Sequence, residues 1–141
     1  MTMKRSQVIK VIAAVIILVV IVMNIISCAG RFREPVVLMN GGELIIQSPY
    51  GVTVPKNEIN SVRLIDDLPT LIRGAGFGVG NTQKGKVSVS NLGGGFAYVK
   101  VNSPPYIYLE LISDDNYMFL NLHDANETRR LYESIRAWLR T

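Results

Sequence analysis

One cysteine, one histidine and one tryptophan are spread over 141 residues, and each scarcity removes a class of explanation. A lone Cys28 closes no disulfide within the chain, so a disulfide-stapled scaffold is excluded. With His123 the only imidazole and no second thiol, a zinc site has no ligand set, and no cofactor is expected. Charge is missing locally as well. Residues 11–30 form an uncharged run of 20, mostly Ile, Val, Ala, Leu and Met. At about 1.5 Å per residue a helix of that length spans about 30 Å, the hydrocarbon thickness of a bilayer.

The formal charge of +4 is not a nucleic-acid signature once it is located. Three of the positive charges are Lys4, Arg5 and Lys10, the basic flank of the apolar run. Residues 31–141 hold 12 Lys and Arg against 11 Asp and Glu, a net of +1. A basic flank beside a hydrophobic helix is topogenic. The expected partner on that side is the lipid bilayer, with no nucleic acid.

Three readings compete for the N-terminal part. A cleaved secretory signal needs a shorter apolar core of about 7–15 residues and a small-residue cleavage site. Residues 11–23 would serve as that core, because Asn24 interrupts the run, yet Ile25 and Ile26 resume it. A lipoprotein signal is the sharper rival: Ile25-Ile26-Ser27-Cys28 resembles a loose lipobox, in which Cys28 would receive lipid. The bulky Ile26 and the long apolar stretch favour an uncleaved transmembrane helix. Arg31 and Arg33 follow the run, so the count of flanking cations leans to a domain outside the cytoplasm, three against two. The expected organisation is a basic flank at 1–10, a transmembrane helix (or lipoprotein signal) at 11–30, a linker at 31–35 and a domain at 36–141.

Short strands broken by turns dominate that domain. Residues 36–39 and 43–47 flank Asn40-Gly41-Gly42, which supplies the positive φ of a tight hairpin. Further strands are expected at 51–54, 59–65, 86–90 and 96–101. The segments 106–113 and 117–122 pair across the polar turn Asp114-Asp115-Asn116. The period then changes. Asp124 with Glu127 reads as a helix start, and Leu131, Tyr132, Ile135, Trp138 and Leu139 share one stripe, predicting an amphipathic helix over 124–140.

The motifs that carry chemistry fail on inspection. Gly80-Asn81-Thr82-Gln83-Lys84-Gly85-Lys86-Val87 misses a phosphate-binding loop at its hydroxyl position and leads into a strand, so no nucleotide is expected. Gly74 to Gly80 places glycine at every second position, which allows a bulge, a bend or a loop. Arg73, Lys84 and Lys86 bracket that stretch and form a candidate anion-binding loop. Asp66-Asp67 and Asp114-Asp115 sit in turns, and His123 beside Asp124 stands at a helix start without a nucleophile. No catalytic residue is nominated.

Element order and local landmarks resemble the bacterial pleckstrin-homology-like family over about residues 36–139. The landmarks are Ile59-Asn60-Ser61-Val62-Arg63-Leu64, Arg73-Gly74-x-Gly76-Phe77-Gly78 and Lys84-Gly85-Lys86. They continue with the strand holding Tyr98, then Pro104-Pro105-Tyr106-Ile107, and Tyr117 ahead of the last helix. The resemblance implies a mainly β fold: about seven antiparallel strands in two nearly orthogonal sheets, a barrel-like sandwich capped by the C-terminal helix, with Trp138 and Leu139 against the core. Phosphoinositide binding does not follow, because Asn40-Gly41-Gly42 carries no Lys or Arg. The function this implies is a membrane-tethered, non-catalytic interaction or scaffolding module with a protein partner. The alternative is a binder of envelope lipid or a small anionic ligand.

Full-length protein is expected in the membrane fraction, resisting high-salt and alkaline extraction. Cys28→Ala is expected to leave processing unaltered and to change the mass by the sulfur alone; fatty acid on Cys28, lost with that substitution, would replace the helix with the lipoprotein reading.

Overall fold

The computed structural model describes residues 4–31 and 33–141, and the chain divides into two units, residues 1–33 and 34–141. Helix α1 runs Arg5–Arg31. It begins earlier than the uncharged run because Ser6, Gln7, Val8 and Ile9 contain no helix breaker, so Arg5 and Lys10 lie within the helix. An 18-residue stretch within Arg5–Ser27 reaches a mean hydropathy of 3.0, and every side chain of Arg5–Ser27 is exposed. The helix is therefore long and apolar enough to cross a membrane, a property that a signal segment shares. Asn24 satisfies itself within the helix, its Nδ2 donating to Val20 O at 2.7 Å. Cys28 falls in α1, but its side chain, like Phe32 of the expected linker, lies outside the described residues.

The second unit is mainly β. A three-stranded antiparallel sheet has the order β1 (Val36–Asn40), β2 (Glu43–Gln47), β3 (Thr53–Pro55). A short 3-10 turn, Lys56–Glu58, leads into a six-stranded sheet. Its strands are β4 (Ile59–Ile65), β5 (Ile72–Val79), β6 (Thr82–Val89), β7 (Gly93–Lys100), β8 (Tyr106–Leu111) and β9 (Tyr117–Leu120), in the spatial order β4-β8-β9-β7-β6-β5. Helix α2, Ala125–Leu139, follows.

Several expectations are met. The hairpin β1–β2 pairs Asn40 with Glu43, and Gly41 takes φ +61° at the first loop position, where a type II′ turn uses glycine. β4 matches residues 59–65, and β8 pairs with β9 across Asp114-Asp115-Asn116. Asp124 caps α2, accepting from Asn126 N at 2.8 Å.

Others are corrected. Nine strands are present among the described residues where about seven were expected, and neither sheet closes on itself. The strands are not all antiparallel: β9 lies between β8 and β7 and runs parallel to β7. Residues 74–79 belong to strand β5, with a register shift between Arg73 and Gly76, so of the bulge, bend or loop expected there the bulge is correct.

Both faces of the six-stranded sheet are apolar. One face contributes Phe96, Tyr98, Ile107, Leu109, Met118 and Leu120, packed with Leu44, Ile46 and Val54 of the small sheet and with Ile135 of α2. The other carries Val87, Val99, Tyr106, Tyr108, Tyr117 and Phe119. Leu68 and Leu71 pack against it from segment 66–71, which joins the two edge strands β4 and β5. Where the β7–β9 ladder ends, buried Asn121 replaces it. Its Oδ1 accepts from Lys100 N at 2.8 Å, and its Nδ2 donates to Lys100 O and Ser103 O, each at 2.9 Å.

Trp138 is only partly buried and donates from Nε1 to Gly41 O at 3.2 Å, whereas Ile135 is fully enclosed. Ile135→Ala is therefore expected to destabilise by about 2–5 kcal/mol. Asn121→Ala, which removes three hydrogen bonds from a buried side chain to backbone, is expected to cost about 1–3 kcal/mol. Arg136→Ala loses an exposed 3.8 Å contact with Glu133 and should change thermal unfolding little.

Candidate functional site

The bulge in β5 decides where the three nominated cations go. Arg73 pairs in register with Val87, which belongs to the second face of the large sheet. Lys84 and Lys86 pair with Tyr98 and Phe96, which belong to the first. Register thus assigns Arg73 to one face and the two lysines to the other, and the three do not converge.

Each cation has its own setting. Arg73 curls along its strand, its Nη1 donating to Gly78 O at 3.2 Å. Lys84 is 3% exposed, and burial pulls its ammonium below the ordinary value of 10.5. Lys86 is exposed; its Nζ lies 3.9 Å from Asp115 Oδ1 and 5.9 Å over the Phe96 ring. His123, noted beside the helix cap, sits 3.6 Å through Nδ1 from Glu34 Oε1, and its backbone N–H donates to the same carboxylate.

Lys86 does have a pocket. A depression of about 240 Å³ is lined by Tyr50, Gly51, Ala75, Gly85, Lys86 and Phe96. Sequence reasoning passed over its central residue, Tyr50. Ser48-Pro49-Tyr50-Gly51 folds as a β-turn, with Gly51 N donating to Ser48 O at 2.9 Å. Proline is at i+1, and i+2 is the position that needs positive φ and ordinarily takes glycine. Here Tyr50 occupies it at φ +62°. The glycine stands one place later for a different reason: a Cβ on Gly51 would meet Ile46 O at 2.1 Å. The turn is held from below, because the fully buried Tyr98 hydroxyl donates to Tyr50 O at 2.6 Å. The Pro-Tyr-Gly order was a visible signal for this strained turn, whereas the Tyr98 contact, 48 residues away, was not.

A second depression, about 310 Å³, lies under segment 66–71 and is lined by Leu68, Pro69, Thr70, Leu71, Gln83 and Val101. The Gln83 carboxamide has a buried Nε2 without a hydrogen-bond partner. A Cβ placed on Gly78 would lie 2.8 Å from Gln83 Oε1 and 2.9 Å from Arg73 Cδ, so these two side chains are neighbours. Among the described residues no group of three His, Cys, Asp or Glu gathers into a metal-holding set.

Burial, reinforced by the Asp115 carboxylate, holds the Tyr98 hydroxyl protonated above its ordinary 10.0. The unfolded chain gives up that proton first. The stabilisation is full below pH 10 and is lost as pH rises beyond it, through the raised folded value. Lys84 acts oppositely: its lowered value makes stability rise with pH up to 10.5. Tyr98→Phe is expected to flatten the fall above pH 10 in denaturant titrations, and Lys84→Met the rise below it.

Comparison with family models, curated proteins and solved structures yields no match to this chain.

Proposed function

We propose that this protein is a membrane-tethered, single-pass, non-catalytic interaction module of pleckstrin-homology-like type, with its domain outside the cytoplasm. A protein partner docks at the Tyr50 depression. The observation that carries the reading is the tyrosine itself. A bulky residue in the left-handed region costs about 1–2 kcal/mol, where glycine costs nothing. Tyr50 recovers little of that by burial, since it remains 52% exposed. Strain at a half-exposed aromatic residue supports a role in contact with something outside the fold. Its neighbours fit a partner segment with an apolar side chain beside a carboxylate: Phe96 and Ala75 supply the apolar wall, and Lys86 the cation.

A second reading has its own observation. The cavity under segment 66–71 combines apolar walls with the neighbouring Gln83 and Arg73 groups, which suits a small anionic amphiphile or envelope lipid. Lipidation of Cys28 would tether the domain in place of the single-pass helix.

Affinity isolation of detergent-solubilised full-length protein tests the first. Tyr50→Gly and Lys86→Glu are expected to release a partner that Arg136→Glu, on the outer face of α2, retains. Tyr50→Gly should also raise thermal stability slightly. Retention of the same partner by both substituted proteins would remove the Tyr50 depression from the account. Organic extraction yielding stoichiometric lipid, lost with Arg73→Ala, would favour the second reading.

A further inference from the structure

The domain has four sheet edges, and three of them are guarded. β3 is only three residues long and ends in Pro55. β4 has a register shift between Ile59 and Ser61 and carries exposed Arg63. β5 has the shift between Arg73 and Gly76. Short length, proline, bulges and charge are the ways proteins keep an edge from pairing. β1 has none of them. Its sequence Val-Val-Leu-Met-Asn is uncharged, its register with β2 is unbroken over five residues, and it pairs with β2 alone among the described strands.

The direction of its free hydrogen bonds follows from the hairpin. Ile46 donates to Val52 O, on the β3 side, so the alternation in β2 turns Ile45 and Gln47 toward β1. Their register partners are Leu38 and Val36. Val37 and Met39 therefore direct N–H and C=O to the open edge, while their side chains pack on the core. On the opposite face Val36 is 51% exposed and Leu38 41%.

We infer that β1 is a self-association edge, pairing antiparallel with β1 of a second copy about a two-fold axis at Leu38. In that register Val37 bonds with the partner's Met39 and Met39 with the partner's Val37. Leu38 faces the partner's Leu38 across a non-hydrogen-bonded pair, the kind that brings side chains closest. On the outward face Leu38 is already the cross-strand neighbour of Ile45, so pairing extends one apolar row across both copies. The edge suits a second copy because it is uncharged. Antiparallel self-pairing repeats every side chain across the axis, and here no like charges meet. An interface of this size is weak in solution. Confinement of both copies to one membrane by α1 raises their effective concentration, and in this respect the inference rests on the tether proposed above.

Cysteine cross-linking in native membranes tests the register, using full-length chains that carry Cys28→Ala. Leu38→Cys is expected to give a covalent homodimer on mild oxidation. Val36→Cys lies opposite the partner's Asn40, which puts two such positions about 13 Å apart. That is beyond disulfide reach, so no dimer is expected. Dimer from Leu38→Cys alone supports the pairing. Dimer from neither, equal dimer from both, or a cross-link to a different protein overturns it. The membrane pellet of the same sample reports separately whether the tether holds.

Discussion

Strand β9 is buried on both sides, and the rest of the domain is arranged around that fact. Tyr117, Met118, Phe119 and Leu120 are four successive residues without a charge, each almost wholly inaccessible to water. A strand that alternates polar and apolar side chains needs one cover; an unbroken apolar strand needs two. The first is composite, the small sheet β1–β3 together with α2. The second is thinner, the segment 66–71 with Leu68 and Leu71. Because that segment also joins the two edge strands, it must pass from one side of the large sheet to the other. Depressions form along it, the larger beside Gln83 and another between Arg63, Pro69, Leu92 and Tyr108.

The same constraint shows what was legible in the sequence. Local features were: the Asn-Gly-Gly hairpin, strand 59–65, the polar turn before β9, and the helix cap at Asp124 each depend on residues a few places apart. The apolar stripe of α2 was legible too, but its most deeply buried member is Ile135, whereas Trp138 lies at the rim and reaches Gly41 O. The strand count and the parallel β7–β9 pair were not legible. Pairing order is a property of distant segments, and Tyr117 to Leu120 reads the same whether its neighbour runs one way or the other. The anion-loop expectation around Arg73, Lys84 and Lys86 failed to converge for a similar reason. A one-residue bulge reverses the face of everything beyond it, and no composition rule places a bulge.

Several buried polar side chains bond to the main chain where strands begin and end. Asn121 closes the end of the β7–β9 pair with three bonds to backbone. Thr128, also fully buried, accepts from Leu122 N at 2.9 Å and lies 3.2 Å from Asp124 O, tying the segment after β9 to the first turn of α2. Tyr117 donates to Gly93 O at 2.7 Å, where β7 begins. Each ties a buried side chain to the main chain, and a hydrogen bond of this kind contributes about 0.5–1.5 kcal/mol.

Tyr50 departs from that pattern. The buried Tyr98 hydroxyl reaches the Tyr50 carbonyl, and a hydrogen bond of this kind contributes about 0.5–1.5 kcal/mol. The left-handed backbone at Tyr50 costs about as much, 1–2 kcal/mol. The two nearly offset each other, so the turn gains no stability from the presence of a tyrosine. Glycine would accept the same bond through the same carbonyl without the strain. Relaxing the turn by moving its glycine is also closed, because the Ile46 carbonyl occupies the space a side chain at Gly51 would need. The Tyr50 side chain, half exposed, lines the same depression as Ala75, Gly85, Lys86 and Phe96. Tyr50 thus joins a strained backbone to a half-exposed ring, and its replacement by glycine would relieve the strain.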